Sequence, residues 1–273
     1  MTTECWINGE PGDLISVADR GLQYGDGLFE TLTVKAARIL LLDYHLDRLH
    51  EGCRRLQLHA PPGKSLRTEL LSAAAGQDKA VLKLIVTRGE AGRGYRFMGN
   101  AQTNRILMRH PWPEYPLEWA EHGVHLKICN THLGHNRQLA GLKHLNRLEQ
   151  ILARAEWSEI DQVQEGLMLD EEGSVIEGTM TNVFARLDHG VLATPDLHRC
   201  GVAGVMRRHL LERAEQAGVA LRVASLALTE LMQAQEIFVC NSLIGVWPVT
   251  AIGHWKYSVG SMTRQAQRWA VEC

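Results

Sequence analysis

Pro111, Pro113 and Pro116 crowd the segment HPWPEYPLEW at 110–119. A proline has no N–H to give a helix interior or a central strand, so neither element can run through this stretch. The chain must therefore fold as separate patterned segments before and after it, and 273 residues suffice for two modest cores. We expect a small N-terminal domain over 1–112, a linker over 113–120 and a larger C-terminal domain over 121–273.

On the N-terminal side CWING reads as a strand, and ARILLLDYHLDRLHEGCRRLQL as strand, turn and helix. Leu46, Leu49, Cys53 and Leu56 recur there at helical spacing after the apolar run Ile39 to Leu42. A helix is expected at 65–75, a buried strand at the start of AVLKLIVTRGEAGRGY, and its neighbour at NRILMRH. Beyond the prolines, VHLKICN, GLMLD and NVFARL read as strands, and HLNRLEQILARAEW as a helix. VMRRHLLERAEQAG reads as a further helix that Gly218 stops, and EIFVCNSLIGVWPV and SMTRQAQRWAVE complete a mixed α+β fold.

The balance of 29 basic against 31 acidic residues gives a formal charge of −2, with no surplus for tracking a nucleic-acid backbone. The start, MTTECWINGEPGD, has no basic segment followed by an apolar core, and no later stretch approaches a membrane-spanning apolar run. We therefore expect a cytoplasmic protein that binds neither nucleic acid nor membrane. The six scattered cysteines form no CxxC or zinc-ligand spacing and read as free thiols in a reducing compartment. The histidines contain no HExxH, and His45 and His50 of HLDRLH stand five apart, so they read as surface or structural groups and no metal is expected.

Lys143 is a candidate for amine chemistry. In LAGLKHLNRLEQ it follows small and apolar residues and precedes a helical pattern. Apolar surroundings disfavour an ammonium and make a neutral amine available for Schiff-base formation, although most lysines at such positions are solvated. Other segments supply what a pyridoxal cofactor needs. Glu177 in SVIEGTMTN stands before a glycine turn, where its carboxylate can partner a pyridinium nitrogen. RCGVAGVMRR runs from a glycine-bearing loop into a helix, so the N–H groups near Val205 and Met206 can receive a phosphate. Arg48 of HLDRL and Ser242 of CNSL can add a charge-assisted bond and a hydroxyl. Singly, each is equally an acidic turn residue, a helix cap, a surface charge or a loop polar group.

Taken in order, DRGLQYGDGLFET, HLDRL, TRGEAGRGY, LAGLKHLNRLEQ, EGTMTN, RCGVAGVMR and CNSLIGVWPV resemble the fold-type IV pyridoxal-phosphate enzymes over nearly the whole chain. The resemblance implies a two-domain α+β fold and pyridoxal 5'-phosphate as cofactor, with Lys143 as its Schiff-base lysine. It makes Glu177 the partner of the pyridine nitrogen, and Arg48, Val205, Met206 and Ser242 the phosphate ligands. It also implies a homodimer acting on a small molecule. Within the family, GRGY and GLKHLNRLEQ are most similar to the branch that releases pyruvate and 4-aminobenzoate from 4-amino-4-deoxychorismate. Branched-chain aminotransferases commonly carry a tyrosine five residues after the lysine, where this chain has Leu148. An aminotransferase of D-amino or branched-chain amino acids, and a pyridoxal-binding protein without activity, remain the alternatives. Thr31 is a further candidate for proton transfer, and Tyr24, Arg93 and Arg105 for binding a dicarboxylate substrate.

Overall fold

The computed structural model describes residues 4–90, 92–97 and 101–273. Ala91, within TRGEAGRGY, lies outside them. The described residues form two compact units, Met1–Pro113 with Leu142–Asn146, and Glu114–Gly141 with Arg147–Cys273. The division falls inside the proline cluster. Lys143, expected in the C-terminal domain, belongs instead to the five-residue segment counted with the N-terminal unit.

The first unit is built on a six-stranded sheet of β1 (Glu4–Ile7), β2 (Glu10–Pro11), β3 (Gly27–Lys35), β4 (Arg38–Ile39), β5 (Lys79–Thr87) and β6 (Asn104–His110). Its order is β2-β1-β6-β5-β3-β4 and every pairing is antiparallel. Helices α1 (Arg20–Tyr24), α2 (Leu42–Leu56) and α3 (Gly63–Ala74) accompany it. Side chains alternate between the faces of a strand. Leu28, Leu32 and Val34 of β3, with Leu82, Leu84 and Val86 of β5, are buried with Leu46, Leu49 and Cys53 of α2 and Leu66 and Leu70 of α3. On the other face Phe29, Thr31, Lys83 and Ile85 are only half-buried. The run Ile39 to Leu42 is mostly not strand: β4 holds two residues, and Leu41 turns into α2 with φ +54°.

The second unit carries α4 (Leu117–His122), β7 (Val124–Ile128), α5 (Leu148–Arg154), β8 (Glu165–Leu169), β9 (Ser174–Gly178), β10 (Asn182–Arg186), β11 (Leu192–Pro195) and α6 (Val205–Gln216). After these come β12 (Leu221–Ala224), β13 (Leu226–Ala227), α7 (Leu228–Met232), β14 (Glu236–Asn241), β15 (Gly245–Ile252), β16 (Trp255–Lys256) and α8 (Ser261–Val271). The sheet runs β12-β11-β10-β14-β15-β7-β8-β9-β13, with β16 beside β15. All five residues of β8, and all but the last of β10 and β14, are buried. Strands covered on both faces read as unbroken apolar runs, and this explains why they were visible in the sequence. Gly218, with φ +69°, ends α6 as its sequence position predicts. The helix expected over HLNRLEQILARAEW is shorter, because the residues around Lys143 pair with β3 before α5 begins at Leu148.

Candidate active site

Lys143 is placed by its backbone. Phe29 N–H donates to the Lys143 carbonyl at 2.9 Å, and Leu145 N–H donates to the Gly27 carbonyl at 3.0 Å. Residues 143–145 thus run beside the start of β3. Gly27 makes the approach possible, since a Cβ there would lie 2.4 Å from the Val86 carbonyl and 2.9 Å from Leu145 Cδ1. The Lys143 Nζ stands 4.3 Å from the centroid of the Phe29 ring, whose face favours a cation. Its neighbours Ala140 and Leu142 are buried, as the apolar sequence around it predicts. Thr31, two residues beyond Phe29, projects from the same half-buried face of β3.

Glu30 faces the opposite way and is buried at 2 % exposure. Arg48 donates to it through Nε at 2.8 Å and Nη2 at 2.5 Å, and His45 Nδ1 lies 2.6 Å from its Oε2. His45 and Arg48 stand three apart on α2 and so share one helix face. Burial alone would raise the Glu30 pKa, but the Arg48 charge and hydrogen bonds, with those of His45, overcome it and hold the carboxyl at about 2. Burial also lowers the His45 pKa, against the pull of Glu30. Two of the three guanidinium nitrogens of Arg48, expected to reach a phosphate, are thus committed to Glu30. Sequence reading missed this triad, although a lone acidic residue between Leu28 and Leu32 on the buried face of a strand marks it.

In the second unit Glu177 is buried on β9, and its Oε2 accepts from Val202 N–H at 2.8 Å. The loop bearing Val202 is clamped at several points. Gly141 N–H donates to the Gly201 carbonyl, Ala203 N–H to the Gly141 carbonyl, and Asn182 Nδ2 to the Val202 carbonyl. Gly204 N–H reaches Asn182 Oδ1 at 3.1 Å, and a Cβ on Gly204 would lie 2.0 Å from that oxygen. Val205 and Met206 open α6, where backbone N–H groups have no intrahelical acceptor and the helix dipole favours an anion. Ser242 lies in the β14–β15 turn, which Asn241 Oδ1 shapes by accepting from Leu243 and Ile244 N–H. Arg147, absent from the sequence reading, is a half-buried cation within electrostatic reach of Glu177; burial lowers its pKa while Glu177 and Glu149 raise it.

The residues proposed for substrate diverge. Tyr24 accepts from Gly94 N–H at 3.3 Å, lies under the Arg20 guanidinium at 4.7 Å and packs on Tyr95 at 5.7 Å. Arg20 itself donates to the Gly94 and Tyr95 carbonyls at 2.7 and 3.4 Å, and so braces the loop from which Arg93 extends exposed. Arg105 instead pairs with Glu69 of α3 through Nε at 3.1 Å and Nη2 at 2.8 Å, and this bidentate bond occupies the charge that a substrate would need.

The cysteines form no disulfide, and burial pushes the thiols of Cys53 up to about 11 and of Cys129, Cys200 and Cys240 up to about 12. Among the histidines, His135 comes together with Asp170 and Glu172, with ligand atoms within 4.8 Å of one another. These groups are already paired: Asp170 with His135 and the Glu172 and Ser174 N–H groups, and Glu172 with Arg199. No helix among the described residues is long and apolar enough to cross a membrane.

In the first unit an amine lies on an aromatic face, and in the second a buried carboxylate is held by a backbone N–H and a helix begins with open N–H groups; taken unit by unit, these donor types fit a pyridoxal phosphate. The chain is 51 % identical to the crystal structure of 4-amino-4-deoxychorismate lyase from Pseudomonas aeruginosa, covering 98 % of each chain with a TM-score of 0.94. It is 37 % identical to the aminodeoxychorismate lyase of Vibrio harveyi over 96 % of this chain and 97 % of the relative. The T.th. branched-chain amino acid aminotransferase, solved with pyridoxamine 5'-phosphate, shares the fold at 22 % identity, with a TM-score of 0.86 over 98 % of this chain and 93 % of that one. The sequence profile described as amino-transferase class IV matches residues 27–252, and the chain therefore belongs to that family.

Proposed function

We propose that this protein is a pyridoxal-phosphate-dependent lyase that converts 4-amino-4-deoxychorismate to 4-aminobenzoate and pyruvate. The observation that carries the reading is the near-complete coverage and 51 % identity to the Pseudomonas aeruginosa lyase, joined to an amine, Lys143, held on the Phe29 ring. An aminotransferase is the weaker alternative, since the aminotransferase described above shares only 22 % of its residues with this chain.

When bound, the cofactor supplies an electron sink next to the substrate nitrogen. Lys143 would hold the cofactor through its aldehyde, and its amine, once free, would accept the proton from the substrate ring carbon that bears nitrogen. The carbon–oxygen bond to the enolpyruvyl group then breaks, the ring becomes aromatic, and Lys143 or Thr31 returns a proton to the departing methylene carbon to give pyruvate. Glu177 would pair with the pyridine nitrogen and favour its protonated form. The first-turn N–H groups of Val205 and Met206, with Ser242, would bind the phosphate, and Arg48 would add a charge from the guanidinium that Glu30 holds by two of its nitrogens. Arg93 and Tyr24 are the substrate-side candidates of this reading, and Arg105 is a weaker one because Glu69 takes two of its three guanidinium nitrogens.

Incubation with 4-amino-4-deoxychorismate and no 2-oxo acid tests the reading. Release of pyruvate with 4-aminobenzoate is expected, and its loss by about 100-fold or more in Lys143→Ala with cofactor still bound. Turnover only after addition of an oxo acid would establish an aminotransferase instead. A homodimer in the cytoplasm belongs to the same reading, supported by the family resemblance and by cysteines that form no disulfide; sedimentation at equilibrium tests the dimer.

A further inference from the structure

Lys143 is not the only amine on the Phe29 ring. Lys83 Nζ lies 5.7 Å from the same centroid, so the two amines are no farther apart than these two distances laid end to end. The strand register explains the arrangement. On β5, Lys83 is directly opposite Thr31 and Ile85 is opposite Phe29; on β6, Met108 is opposite Lys83. Side chains at directly paired positions emerge on the same face of a sheet. Lys83, Thr31 and Phe29 therefore share the face on which the Lys143 amine rests, and Ile85 and Met108 give it apolar flanks.

A lysine on a strand ordinarily carries its ammonium out to water or to a carboxylate. Lys83 does neither: it is half-buried, folded toward an aromatic ring, and among the described residues it makes no ion pair. A partly desolvated cation beside the reacting amine is an acceptor for an anion, and an anionic substrate supplies one.

We propose that Lys83 is a specificity-determining residue that binds a carboxylate of the substrate, an inference that rests on the lyase reading above. The 4-amino-4-deoxychorismate molecule carries two carboxylates, one on the ring para to its amine and one on the enolpyruvyl group. With the amine held at the Lys143 side of the ring face, the ring carboxylate lies across the six-membered ring from it and the enolpyruvyl carboxylate three bonds out from the neighbouring ring carbon, so both extend away from Lys143 along the face that carries Lys83. Lys83 thus orients the substrate on the Phe29 face and selects anionic substrates over neutral amines.

The test is the steady-state, acceptor-free lyase assay on cofactor-loaded wild-type protein, Lys83→Met and Lys83→Arg. Lys83→Met is expected to raise KM by roughly ten- to a hundredfold with kcat little changed, the loss of one charge-assisted bond, and Lys83→Arg to recover most of it. Inhibition by 4-aminobenzoate or by pyruvate should weaken in Lys83→Met, and whichever weakens identifies the carboxylate. Should Lys83→Met fail to fold, Lys83→Gln is read in the same way. An unchanged KM overturns the inference, and so does a fall in kcat alone. Wild-type protein that releases no pyruvate sinks the lyase reading and this inference together, whereas active wild-type protein with an unshifted Lys83→Met sinks the inference only.

Discussion

The backbone N–H of Phe29 donates to the carbonyl of Lys143 at 2.9 Å, although 114 positions separate the two residues in the chain. This bond, with that from Leu145 to Gly27, makes a strand of the first unit the ruler against which Lys143 is set.

Gly27→Ala should disturb that ruler. The added Cβ would press on the Val86 carbonyl and on Leu145, and overpacking of this kind costs about 1–3 kcal/mol. Calorimetry should show Tm lowered by several degrees, accompanied by slower pyruvate release. A variant with wild-type rate and Tm would show that β3 does not set the position of Lys143.

The Glu30, His45 and Arg48 triad makes a pH-dependent contribution. With the folded carboxyl held at about 2, the unfolded chain takes up its proton first as pH falls below the ordinary value of 4.5. The stabilisation is complete above that value and is lost as pH falls toward 2, in total roughly 3 kcal/mol. Glu30→Gln should therefore be less stable by about 3 kcal/mol near neutral pH, with the gap to wild type closing in acid. Denaturant titrations across that range measure it, and a gap independent of pH would contradict the assignment.

Arg20 braces the loop that carries Arg93 and Arg96. Replacing it by alanine removes its bonds to the Gly94 and Tyr95 carbonyls and to Asp26. Trypsin should then cut after Arg93 and Arg96 several-fold faster, since cleavage follows the population of the opened loop. Fragment masses over time give the answer, and equal rates would show that the loop is held by other contacts.

Glu165 is buried on β8 and accepts from Gly166 N–H, Thr179 N–H and Oγ1, Met180 N–H and Thr181 Oγ1. Glu165→Ala leaves the buried Gly166 N–H and Thr181 hydroxyl, and the part-buried donors of Thr179 and Met180 in the turn that follows Glu177, without this acceptor. We expect a loss of at least about 3 kcal/mol, read as a lower urea midpoint. A midpoint equal to wild type would mean that water replaces the carboxylate.

Local chemistry made much of this protein readable in its sequence. Prolines cannot donate a hydrogen bond, so the break near residue 113 is visible in HPWPEYPLEW; apolar periodicity marks α2 and α6, and a glycine with positive φ closes the latter. The reading of Lys143 and Glu177 as site residues rests on the ordered series of short motifs that surrounds them. What the tertiary structure alone decided is who meets whom. Strand register is a long-range property, and only pairing of β3 with β5 and with residues 143–145 brings Lys83 and Lys143 to one ring, with Thr31 on the same face. The same pairing cut short the helix that the pattern after Lys143 suggests. Likewise, the commitments of Arg48 to Glu30 and of Arg105 to Glu69 depend on helices crossing a particular sheet face, and no spacing along the chain encodes that meeting.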